Sequence, residues 1–166
     1  MKPEAQRSGA RERLRKRYRP DRVRILFVGE SPPASGRFFY QADSGLYRAV
    51  RDTFLTAFPP LQKTEFLDSF RSLGCYLVDL CGEPVDKMLR HARRCACRAG
   101  EVRLARTIRT LRPKIIVTVV RSINGNWFGA KPAQSETPVR AAAKRRRPVR
   151  GRSERELCVA HFSLLT

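Results

Sequence analysis

Three short apolar runs constrain this chain more than any other feature: residues 23–28 (VRILFV), 75–81 (CYLVDLC) and 114–120 (KIIVTVV). Each is shorter than a buried helix needs and is bounded by a breaker. Gly29 follows the first, Gly74 and Gly82 flank the second, and Pro113 introduces the third. Such runs read as strands buried on both faces. Between them the apolar spacing changes to three or four residues. Ser44 caps a predicted helix carrying Leu46, Val50, Phe54 and Ala57 and stopped by Pro59 and Pro60. Thr64 opens a shorter one through Phe66, Leu67 and Phe70, and residues 100–111 place Val102, Ala105, Ile108 and Leu111 on one stripe flanked by Arg103, Arg106 and Arg109. Buried strands alternating with helices predict an α/β fold: a three-layer α/β/α sandwich around a mainly parallel sheet, with 157–162 (LCVAHF) as a fourth strand. Ligands bind such sheets beyond the carboxyl ends of the strands, which directs attention to the turn GESPP at 29–33, to Asp79 and to residues 121–126.

Charge then narrows the partner. The 166 residues include 35 Lys and Arg against 15 Asp and Glu, a formal net charge of +20. The charge is blocked: residues 1–24 carry a net +7, 25–90 a net −1, 91–123 a net +8 and 124–166 a net +6. A basic excess concentrated outside a neutral core fits a polyanion, with DNA first and an acidic membrane surface second. The competing explanation is codon bias, because Arg outnumbers Lys 28 to 7 and a GC-rich gene gives that ratio without selection for binding. No run of 18 apolar residues and no secretory signal occurs, and five cysteines form no even disulfide framework. The expectation is a reduced, monomeric cytoplasmic protein associated with the nucleoid through DNA. Its organisation reads as a basic N-terminal extension (1–22), an α/β domain (23–123), a basic disordered segment (124–156) and a last strand within 157–166. The stretch AAAKRRRPVRGR also suits a shifted or truncated reading frame.

Glu30, on a turn stiffened by Pro32 and Pro33, is expected to be presented rather than buried. Phe38, Phe39 and Tyr40 follow in a loop led by Gly36, and at least one of three consecutive aromatics is expected to face outward, as a stacking platform for a base. The bland alternatives are a plain turn and a hydrophobic plug.

Together these residues resemble the uracil-DNA glycosylase superfamily, whose first motif follows the first strand as Gly, an acidic or amide residue, a small or apolar residue and Pro. GESPP is similar to the Gly-Glu-Ala-Pro-Gly version of its iron-sulfur branch. The stretch 76–79 (YLVD) with Pro84 looks like the family's second strand, which ends in a base-reading Asn, and 111–117 (LRPKIIV) like its helix, Pro and third strand. The resemblance covers about residues 23–123. It implies a glycosylase-like sheet, a damaged base stacked on Phe38 or Phe39, Glu30 orienting or deprotonating a water, and His161 as donor to the departing base. It also implies DNA contacts from Ser31, Pro32, Arg37, Arg121, Ser122 and Asn124. There are departures. His161 lies in AHFS rather than His-Pro-Ser, the cysteines lack the cluster-ligand spacing, and Asp79 stands where Asn is expected. No metal or cofactor is therefore expected, although His91, Cys95 and Cys97 are a conceivable metal set. The rivals are a non-catalytic nucleic-acid-binding module on this fold and an unrelated nucleotide-binding α/β protein. The second lacks any phosphate loop of the Gly-x-Gly-x-x-Gly or Gly-Lys-Ser/Thr kind.

Overall fold

The computed structural model describes residues 4–61, 65–119 and 158–161. The three apolar runs form β1 (Ile25–Gly29), β2 (Cys75–Asp79) and β3 (Ile115–Thr118). They pair in parallel in the order β2-β1-β3, with Ile25 opposite Cys75 and Ile115, and Gly29 opposite Asp79. The fold is thus mixed α/β on a small, open, all-parallel sheet. The backbone of Cys158–His161 (β4) runs parallel to β3, Thr118 being opposite His161.

From β1 the chain crosses to β2 on one side, through α2 (Gly45–Ala57) and α3 (Phe66–Ser72). From β2 it passes back over β1 to β3 through α4 (Arg90–Leu111). The two connections therefore lead to opposite neighbours of β1, and the strand order reverses there, the place where parallel sheets of this kind leave a crevice beyond their carboxyl ends. Phe27 on β1 packs against the α2–α3 face, its ring 5.2 Å from Phe70 and 6.2 Å from Phe54.

Ser44 caps α2 as its sequence predicts, its Oγ accepting from Tyr47 N at 3.1 Å. The predicted cap of α3, Thr64, lies outside the described residues. The expectation for α4 needs correction. It starts ten residues earlier than predicted, at Arg90, and the predicted stripe is rotated: Val102 is 61% exposed while Leu104 is buried, with Ile108 and Leu111 packed beside it. Gly100 is not the start of this helix but the point of its closest approach, because a Cβ there would collide with the Leu80 carbonyl oxygen.

The basic N-terminus forms a helix, α1 (Glu4–Arg17), and Leu14 and Tyr18 pack against the core. Tyr18 stacks on Tyr40 at 5.7 Å, and the buried Tyr40 hydroxyl serves the backbone of β2. It donates to Leu77 O (3.1 Å) and accepts from Leu77 N (2.7 Å), satisfying groups on the strand's unpaired edge. Among the described residues no helix is long and apolar enough to cross a membrane.

Candidate functional site at the carboxyl end of the sheet

β1 ends on Gly29 because its partner in register, Asp79, lies over it: a Cβ on Gly29 would stand 2.7 Å from Asp79 Oδ1. Pairing continues past the strands, Leu80 N donating to Gly29 O (2.8 Å) and Cys81 N to Glu30 O (2.7 Å). That continuation draws Glu30 along the sheet. The loops beyond are pinned to one another: Asp86 accepts from Ala34 N at 3.1 Å, Ser31 Oγ from Val85 N at 3.3 Å, and Asp43 from Phe38 N at 2.7 Å. They enclose a cavity of about 270 Å³ at the strand ends, lined by the 29–33 turn, Phe38, Phe39, Leu77, Asp79, Asp86 and Val119, among others.

Both carboxylates of the predicted site line this cavity, and an arginine holds each. Glu30 is 8% exposed, which corrects the expectation that the turn presents it to solvent. Arg93, from the first turn of α4, grips it with two donors, Nε to Oε1 at 2.6 Å and Nη2 to Oε2. The Cys97 thiol adds a donor to Oε1 at 3.6 Å and accepts in turn from Cys81 at 3.7 Å. Burial, followed by the neighbouring Cys81 and Glu30, pushes the Cys97 thiol up to about 12, so the proton of that bridge stays on sulfur at neutral pH.

Asp79 Oδ2 accepts from Arg15 Nη2 at 2.8 Å, and Arg103 Nη2 caps the Asp79 and Leu80 carbonyls at 2.8 Å each. Burial nevertheless raises the Asp79 carboxyl above its ordinary range, against the pull of Arg15 and then Arg103. The Arg15 guanidinium also stands 5.4 Å from the Phe38 ring centroid.

The aromatics differ from expectation as well. Phe38, Phe39 and Tyr40 are all buried; none faces outward, because α1, α3 and β2 wall the loop in. Phe38 and Phe39 still border the cavity. Pro32 is buried, Ser31 is half-buried with its hydroxyl engaged, and Arg37 is exposed. His161 takes the register position opposite Thr118, at the carboxyl end of the sheet. Arg121, Ser122 and Asn124 lie outside the described residues. His91 and Cys95 are exposed, Cys97 turns to Cys81, and among the described residues no three His, Cys, Asp or Glu side chains converge as a metal site.

Sequence reasoning misses Arg15, Arg93 and Arg103, each acting on a partner 64, 63 and 24 residues away. A run of arginines carries no local mark of which one turns inward. The only usable signal was the need of two carboxylates at buried strand ends for cationic partners. No family model, curated protein or solved structure matches this chain.

Proposed function

We propose that the chain is a DNA glycosylase-like protein that takes a damaged base out of the duplex and hydrolyses its bond to the sugar. The observation that carries this reading is the convergence of Glu30, Asp79, Phe38 and Phe39 on one cavity at the sheet's carboxyl end. Its volume lies just under the range usual for drug-sized ligands, which suits a single extruded base. The base rests against Phe38 and Phe39 and presents its edge to Asp79. Glu30, held at two points by Arg93, orients a water toward the sugar carbon. Charge developing on the leaving base is met by a donor at His161, whose register position favours this role. On this reading β4 is a true fourth strand, the whole is a glycosylase-like three-layer sandwich, the protein acts as a monomer, and its place is on cytoplasmic DNA. The net charge of +20 supports that partner.

A specific observation favours a second reading, a non-catalytic nucleic-acid-binding module: both carboxylates already have arginine partners. The deciding experiment incubates the protein with duplexes each carrying one modified base, followed by alkali to cut abasic sites. The glycosylase reading expects cleavage of at least one, slowed about 10² to 10⁴-fold by Glu30→Gln with DNA affinity kept. DNA binding with no release from any lesion assigns the binding module instead.

A further inference from the structure

A second cleft, of about 440 Å³, opens between α1 and the loop that carries the aromatics. Gln6, Arg7, Arg11 and Arg13 line its α1 wall, and Gly36 and Gln41 its opposite wall; no carboxylate lines it. Arg11 is turned toward Glu83 at 3.4 Å, whereas among the described residues no ion pair is formed by Arg7 or Arg13. A Cβ on Gly9 would stand 3.7 Å from Arg13 Nη1, which places that guanidinium head over the glycine in the cleft lining. The volume is within the range of small-molecule sites, and two cations beside two side-chain amides match a phosphate with a sugar or base attached.

Position says where such a group comes from. Gly36 and Gln41 bracket Phe38 and Phe39, so one short loop walls the arginine cleft on one side and the base-sized cavity on the other. We propose that this cleft binds a nucleotide unit of a DNA strand through its phosphate, next to the unit whose base enters the cavity. The assignment rests on the DNA partner of the proposed function but not on catalysis. Arg7 and Arg13 then position the strand and read no sequence.

The test measures binding of a fluorescent single-stranded octathymidylate, which offers no lesion, to the full chain, so an inert glycosylase leaves the result intact. Arg7→Gln/Arg13→Gln is expected to weaken affinity at least about tenfold and to lower the slope of log K against log salt by about 0.7, the value for one phosphate on a single strand. Arg106→Gln/Arg109→Gln removes equal charge from exposed positions of α4 and is expected to change affinity by less than about threefold. Gln41→Glu, on the opposite wall, is expected to weaken binding without removing any cation. Thermal unfolding of each variant should match wild type. Equal losses in both arginine pairs, or no loss in Gln41→Glu, overturn the site. Displacement by thymidine monophosphate as effective, mole for mole, as by the unlabelled octamer overturns the strand assignment in favour of a free nucleotide.

Discussion

Asp79 and Arg15 show how much rests on single side chains. Their side chains are 6% and 14% exposed, so removing one leaves the other charged group in a poorly solvated place. Arg15→Met is expected to cost about 3 to 5 kcal/mol of unfolding free energy, with Arg15→Met/Asp79→Leu recovering a large part of it. The pH dependence has a definite sign. The folded carboxyl titrates above the unfolded value of about 3.9, so its contribution to stability is greatest below that value and is lost as pH rises through the folded one. Without Arg15 the carboxyl rises further, and the deficit of Arg15→Met, followed by urea unfolding, should narrow as pH falls toward 4. The same residue sets the expected base preference. An ionised Asp79 can only accept and so opposes uracil O4, a mismatch worth about 1 to 3 kcal/mol. Asp79→Asn should raise uracil release about ten- to a hundredfold at pH 8 and less at a lower pH, because burial raises the wild-type carboxyl and favours the protonated form that can donate. No gain at either pH would remove Asp79 from base reading.

At the scale of elements, α1 changes most from expectation. The sequence suggests that residues 1–19 form a basic arm whose removal shrinks the salt dependence and spares base selectivity. The structure ties that arm to Asp79 through Arg15 and to Tyr40 through Tyr18, so deletion uncovers the edge of β2 and a buried carboxylate. The truncated chain should melt well below the full one and lose any base selectivity, as calorimetry and duplex-cleavage assays would show. α4 carries a further expectation. Burial drives the Cys75 thiol to about 12 and the Cys97 thiol to about 12, whereas Cys95 is exposed. Iodoacetamide at pH 8 should therefore modify Cys95 well before Cys75 or Cys97, read by peptide mass spectrometry. The strands were legible because a parallel sheet buries both faces and leaves continuous apolar runs in the sequence. α1 and the first half of α4 were not. Their inward faces are built from arginines, whose stems pack while their heads reach carboxylates or carbonyls, and such faces look like solvated ones until the partners are known.

Across the whole molecule, charge and fold divide the work. The neutral stretch 25–90 supplies β1, β2 and the cavity-lining Glu30 and Asp79, while the basic blocks on either side supply the arginines that close on these two. GESPP, Phe38, Phe39 and Asp79 were readable as neighbours of one cavity because the turn and Asp79 lie at strand ends and the two aromatics follow in the next loop. The cationic half was not, since long-range pairing leaves no periodic trace. With a net charge of +20, the proposed association with duplex DNA is expected to weaken steeply with salt, its log–log slope falling by about 0.9 for each phosphate contact removed; a flat salt titration by fluorescence anisotropy would exclude a polyanion partner. The docking of α1 also bears on biosynthesis. Chains leave the ribosome from the N-terminus at about 5 to 20 residues per second, and Arg15 of α1 precedes Asp79, the carboxylate it holds, by 64 residues. For several seconds Arg15 of this basic helix has no carboxylate on β2 to close on, and its guanidinium is open to the cell's polyanions before Asp79 arrives.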